Sequence, residues 1–132
     1  MVEYEWRGRF GSNEVETLHA EGFEREPEWT WDWRQQVERH SLGWVCARDD
    51  ASQLVGWVNV AWDGGVHAFL LDTIVASTSR RQGIATRLVE HATKGARAGG
   101  CEWLHVDFDE WLRAFYLTSC AFTSTNAGLI QL

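Results

Sequence analysis

The chain has 132 residues, of which 45% are hydrophobic and 23% charged, with a formal net charge of −7 and no low-complexity tract. That length fits a single domain spanning 1–132 with one core, and the balance argues against disorder. The acidic body argues against nucleic acid as a partner; no apolar run reaches a membrane span, and the acidic, Trp-containing start lacks a signal peptide's basic n-region, so a cytoplasmic protein is expected.

Val2 to Phe10 alternates apolar and polar residues, which predicts a first strand, and Gly11-Ser12-Asn13 then supplies a turn and a cap for a helix from about Asn13 to Ala20. The only proline, Pro27, sits among Glu21, Glu24, Glu26 and Glu28, so an acidic loop is expected before a second helix, Trp31 to His40. Gly43 to Arg48 and Leu54 to Trp62 read as strands joined by the hairpin signal Asp49-Asp50-Ala51-Ser52, and Asp63-Gly64-Gly65 turns the chain into a further strand, Val66 to Val75. These three strands should run antiparallel.

From Gly83 onward, Ile84, Leu88 and Ala92, flanked by Ala85, Val89 and Ala96, recur at helical spacing until Gly99-Gly100 stops the helix. Cys101 to Phe108 then predicts a strand, and a strand, helix, strand succession of this kind is the crossover that sets two strands parallel. Trp111 to Ser119 reads as a short helix and Phe122 to Leu132 as a last strand with a turn near Asn126 to Gly128. The three cysteines, Cys46, Cys101 and Cys120, have neither zinc spacing nor the density of a disulfide scaffold, so reduced thiols are expected and no metal is called for.

Between the strand ending at Val75 and the helix after Gly83 lies the run Arg80-Arg81-Gln82-Gly83-Ile84-Ala85. The first N–H groups of a helix have no intrahelical acceptor, and the helix dipole adds partial positive charge, so such a junction is suited to phosphate oxygens. Gly83 and Ala85 leave the backbone approachable, while the two arginines add charge and forked donors. Arg80 and Arg81 are therefore read as functional, and Lys94 and Arg97 as the solvated face of the helix.

With Val75-Ala76-Ser77-Thr78-Ser79 before it and Thr86-Arg87-Leu88 after it, this run resembles the coenzyme A motif of the GNAT N-acetyltransferase superfamily. That motif is Arg or Gln, two variable residues, Gly, one variable residue, then Gly or Ala, and Arg80, Gly83 and Ala85 match it. The resemblance extends from about Trp44 to Leu132. It implies an α/β (α+β) fold: a mixed, mostly antiparallel sheet of six or seven strands flanked by about four helices, with splayed fourth and fifth strands. It further implies acetyl-CoA as cofactor, its pantetheine arm paired with the backbone of Thr73, Ile74 and Val75 and its diphosphate on the amides of Arg80, Arg81, Gln82, Gly83, Ile84, Ala85 and Thr86. Only eleven residues follow Ala121, so the family's closing strand is either lost or borrowed from a partner subunit, which leaves a homodimer open.

Ala114-Phe115-Tyr116 before Cys120-Ala121-Phe122 is similar to the family's Phe-Tyr segment before Gly-Phe, which implies Tyr116 as the general acid near the thioester sulfur. A half-buried aromatic with a satisfied hydroxyl is the alternative, and Ala121 departs from the usual Gly. Asp109 falls where many relatives have an Asn that bonds the pantetheine; capping the following helix is its other reading. The resemblance also implies the Val75 N–H as oxyanion donor.

For the general base the family uses a carboxylate or His from the fourth or fifth strand, where this chain has His67, Asp72, His105 and Asp107. Asp72, inside Leu70-Leu71-Asp72-Thr73-Ile74, is the least expected by composition, because an unpaired charge in an apolar strand is costly. Strict alternation places His67 with Phe69 and Leu71, and Asp72 opposite, unless a bulge resets the phase. Asp72 and His105 are taken as the candidate bases, and His67 and Asp107 as lining the acceptor end.

Trp29, Trp31 and Trp33 alternate across the loop-to-helix junction in the region that covers the acceptor in related enzymes. Beside Glu24, Glu26 and Glu28 they suit a cationic, partly apolar amine; anchoring the loop to the core is the alternative. Trp44, Trp57, Trp62 and Trp103 are expected in the core. The resulting expectation is an acetyl-CoA-dependent N-acetyltransferase that moves an acetyl group directly to a primary amine of a small molecule. A non-catalytic acyl-CoA binding or sensor module, or a protein or peptide N-acetyltransferase, remain the alternatives.

Overall fold

Five strands form one mixed sheet, in the order β1-β2-β3-β4-β5, in the computed structural model, which describes residues Met1–Leu132. They are β1 (Glu3–Trp6), β2 (Ser41–Arg48), β3 (Leu54–Trp62), β4 (His67–Val75) and β5 (Trp103–Val106). Neighbours from β1 to β4 are antiparallel, and β4 pairs with β5 in parallel, as the crossover through α3 (Ile84–Ala98) requires. No helix is long and apolar enough to cross a membrane.

The two faces of the sheet bury different helices because alternate residues of each strand point opposite ways. On β2, Val45 and Ala47 join Leu88, Val89 and Ala92 of α3, whereas Trp44 and Cys46 join Val15 and Leu18 of α1 (Ser12–Gly22) and Val37 of α2 (Trp33–His40). Each buried Val or Leu among them contributes roughly 1.5–3 kcal/mol. Packing on α3 is close enough to forbid a side chain at Gly95, where a Cβ would lie 2.5 Å from the Trp6 ring.

Several boundaries differ from expectation. β1 stops at Trp6, because Arg7 takes a left-handed turn (φ 57°) that carries its guanidinium over the Trp44 ring. α2 begins at Trp33, since the Asp32 carboxylate accepts the Gln35 N–H and caps it there. The segment expected as one helix after Trp111 is instead a 3-10 turn, Glu110–Leu112, and a fourth short helix wound with π geometry, Phe115–Ser119.

The expected last strand from Phe122 to Leu132 does not form, and the sheet has five strands rather than six or seven. Phe122 packs on the core beside Tyr116, but the following Thr-Ser-Thr-Asn-Ala-Gly run offers no alternating apolar face, and Leu129, Ile130 and Leu132 are exposed. Trp103 is also a correction: it is 63% exposed, because α1 and α2 cover β2, β3 and β4 but not β5.

One irregularity on β4 matters most. Between the pairs Trp57–Ile74 and Asn59–Leu71, the single residue Val58 faces both Asp72 and Thr73, and Asp72 is left-handed (φ 57°), which defines a β-bulge. The bulge resets the strand's phase: Ala68 and Leu70 pack toward α3, whereas Ile74 packs toward α1.

Candidate active site

Pairing of β5 with β4 covers only His67 to Leu70, so β4 from Leu71 onward has an open edge where the two strands splay. The N–H of Ala76 donates to Val55 O on β3, and ladder bonds alternate along a strand, so the Ile74 peptide also turns to β3 while those of Thr73 and Val75 turn to the opening. Of the three residues expected to offer backbone there, two face the gap.

The arginine-rich run follows directly. A 3-10 turn, Ser77–Ser79, leads into Arg80, and Gly83 then takes a left-handed conformation (φ 75°, ψ 12°) at the N-cap of α3. The first backbone bond of the helix runs from Arg87 N–H to Gly83 O, and none of the N–H groups from Arg81 to Thr86 donates to a protein acceptor. Arg80, Arg81, Gln82 and Gly83 are exposed, Ala85 and Thr86 are half-buried, and Ile84 turns inward to the α3 core. A run of free amides at the start of a fifteen-residue helix has the donors and the dipole that suit an anion.

Tyr116 is buried beneath the splay, stacked on Phe108 at 5.1 Å with Phe115 and Phe122 edge-on. Burial raises its phenol above the ordinary value, with the Thr73 hydroxyl partly opposing the shift, so the phenol keeps its proton at neutral pH. Burial also pushes the nearby Cys120 thiol up to about 11, which leaves it a poor nucleophile there. The Asp109 side chain caps nothing and is exposed.

On the other face of β4, Asp72 accepts from His19 Nε2 at 3.0 Å. Asp72 and His19 line a cavity of about 350 Å3 with Glu16, Arg25, Glu28, Trp31, Trp33 and Gln36. The three tryptophans of the junction differ in role. Trp33 is 5% exposed and donates its indole N–H to Glu16 at 2.9 Å, Trp31 forms the outer wall with its indole N–H on Gln36 Oε1, and Trp29 lies outside the cavity. Of the loop acids, Glu28 reaches the cavity, while Glu24 and Glu26 stay in solvent.

His67 and His105 are apart from this cluster. Their rings face each other at 2.8 Å (Nδ1 to Nε2) with Phe69 stacked on His105, at the paired end of β4 and β5. His105 is in register with Phe69, three residues short of the bulge, and Asp107 is exposed just past the end of β5. Sequence reasoning passed over Glu16, His19 and Arg25. Glu16 and His19 stand three apart on the side of α1 that also buries Val15 and Leu18, and a carboxylate and an imidazole on a core-facing stripe call for a partner.

The model of the acetyltransferase (GNAT) family matches residues 4–122. No curated protein matches the chain. Among solved structures, it is similar to the GNAT family acetyltransferase SP0256 of Streptococcus pneumoniae TIGR4, with 20% identity, a TM-score of 0.78, and coverage of 100% of this chain and 98% of that one. It is also similar to the GNAT family N-acetyltransferase YhbS of Escherichia coli, solved in complex with CoA, at 17% identity and TM-score 0.71 over 87% of this chain and 67% of that one. A third is the aminoglycoside acetyltransferase HMB0005 from an uncultured soil metagenomic sample, at 21% identity and TM-score 0.72 over 100% and 97%.

Proposed function

The chain belongs to the acetyltransferase (GNAT) family, and from that premise we propose that it transfers the acetyl group of acetyl-CoA directly to a primary amine on a small molecule. The observation that carries the cofactor half of this reading is the row of unpartnered N–H groups from Arg81 to Thr86 beside the open edge of β4. A diphosphate satisfies those amides, and an extended amide-bearing arm satisfies the Thr73 and Val75 peptides. The CoA-bound neighbour from Escherichia coli supports the same assignment.

The acceptor half rests on the cavity under the α1–α2 loop. Asp72 and Glu28 bring negative charge and Trp31 an aromatic wall, a combination that favours an amine presented as its ammonium. Attack requires loss of one ammonium proton, which Asp72 accepts and releases to solvent; the nitrogen then bonds to the thioester carbon, the carbon–sulfur bond breaks as Tyr116 protonates the departing thiolate, and the second proton that the nitrogen sheds on becoming an amide returns to the Tyr116 phenolate. The Val75 N–H stands at the carbonyl oxygen as negative charge develops there. Acetyl transfer to an aminoglycoside by one neighbour supports a small-molecule acceptor.

Incubation with acetyl-CoA and a mixed library of small amines, followed by mass spectrometry, tests the proposal. Products heavier by one acetyl group are expected. Coenzyme binding without any acetylated amine would favour a sensor module, and acetylation confined to peptides would replace the acceptor class.

A further inference from the structure

Glu16 is a carboxylate with a side chain only 1% exposed, a placement that is costly unless every lone pair is met. Arg25 meets it with both terminal nitrogens, at 2.6 and 2.8 Å, and Trp33 Nε1 and the Glu28 N–H complete the set. This clamp fixes the one arginine of the acidic loop in a single orientation. Its Nε and a terminal nitrogen then point at His19 Nδ1, at 3.2 and 2.8 Å.

A guanidinium can only donate, so His19 Nδ1 must be the accepting nitrogen, and the ring proton resides on Nε2. Nε2 is the atom 3.0 Å from Asp72 Oδ1. The imidazole is also held between Phe23, at 4.4 Å between ring centroids, and Trp33, at 4.9 Å, which blocks rotation about its side-chain bonds. Asp72 thus has one oxygen committed to a donor of fixed polarity, while Oδ2 has no protein partner and the residue lines the cavity.

We propose that Glu16, Arg25 and His19 form a relay that orients the Asp72 carboxylate toward the incoming amine, which makes His19 a positioning residue for acetyl transfer. The proposal rests on the acetyl-transfer reading above and adds to it the reason why Asp72, and neither the half-buried His67 of β4 nor the exposed His105 of β5, is equipped to take the proton. The positive φ of Asp72 belongs to the same device, because the bulge turns its side chain to α1.

Two measurements test it. The first is nitrogen-15 spectroscopy of the His19 ring in the intact protein at neutral pH, where a neutral ring protonated on Nε2 is expected. A ring protonated on Nδ1 would overturn the relay.

The second uses acetyl-CoA and whichever library amine is acetylated fastest. His19→Leu should lower kcat about 10- to 100-fold with KM changed less than about threefold. His19→Gln, whose side-chain nitrogen and oxygen can replace Nε2 and Nδ1, should recover most of that loss, and it serves as the test even if the leucine variant fails to fold. In an Asp72→Asn background, His19→Leu should cost less than about twofold more, since both changes remove one function. An equal loss in both backgrounds, or no recovery by glutamine, would overturn the proposal. Failure to acetylate any amine would instead refute the acetyl-transfer reading, and the ring spectrum would still decide the relay.

Discussion

Asp72 and Tyr116 stand on opposite faces of β4 at the strand's single bulge: Asp72 reaches α1 through His19, and Tyr116 lies in the α3 core beside Thr73. A thioester drawn into the opening between β4 and β5 is therefore flanked by a proton acceptor on one side and a protonated phenol on the other. That separation suits a reaction in which one proton leaves the amine and a different proton reaches the sulfur.

Tyr116→Phe should lower kcat by about 10²-fold or more while coenzyme affinity, measured by calorimetry, changes little. The ring stays to fill the space among Phe108, Phe115 and Phe122, so folding should be preserved. Because burial raises the phenol above the ordinary value of about 10, on the alkaline side wild-type kcat should decline where pH rises through that raised value, and the variant should lack this alkaline limb. Unchanged turnover would remove Tyr116 from the chemistry.

Gly83→Asp should abolish coenzyme binding with a modest effect on stability. A Cβ at Gly83 meets no atom within 4 Å, so the folded chain has room for it, and the left-handed backbone costs a non-glycine residue about 1–2 kcal/mol. The added carboxylate would stand among the free amides and repel a diphosphate. Calorimetry with CoA showing wild-type affinity would place the phosphates elsewhere.

These positions were legible in the sequence because the chemistry of a helix N-terminus is local: a glycine, a small residue and two arginines within six residues describe the cradle without knowledge of the fold. Asp72 was legible as an oddity, a charge in an apolar strand, but its purpose was not, since His19 stands 53 residues away and Arg25 was one base in a loop of acids. The bulge that turns Asp72 toward α1 depends on register with β3, which no single strand encodes. Leu129 and Ile130 read as a strand, yet strand formation needs a paired edge, and nothing in a chain's own alternation says whether one is within reach.

Glu16→Gln should destabilise the protein by about 3 kcal/mol near neutral pH, the scale expected when one member of a buried ion pair is removed. Hydrogen bonds from Arg25 are the main cause that lowers the Glu16 carboxyl from 4.5 to about 2, with burial opposing them. A lowered folded-state value means the stabilisation is complete above about 4.5 and is lost as pH falls through about 2. Urea midpoints of wild type and variant should therefore converge across that window. A gap that stays constant down to the lower limit would show that the charge of Glu16 contributes nothing.

Gly95→Ala tests the α3 packing that holds the cradle's helix on the sheet. In an exposed helix interior this change stabilises by about 1 kcal/mol, because alanine restricts the unfolded chain and favours helix. Here the new methyl would lie 2.5 Å from the Trp6 ring, and the same ring packs so closely on Gly43 of β2, where a Cβ would lie 2.2 Å from it, that it has little room to yield. Overpacking of this kind costs roughly 1–3 kcal/mol, which outweighs the propensity gain. The variant should melt several degrees below wild type, and Trp6→Leu in the same chain should cost less than it does alone, because the smaller side chain frees the space the methyl needs. A raised melting temperature for Gly95→Ala would mean that α3 can slide on β2, and the cradle's fixed distance from β4 would lose its structural basis.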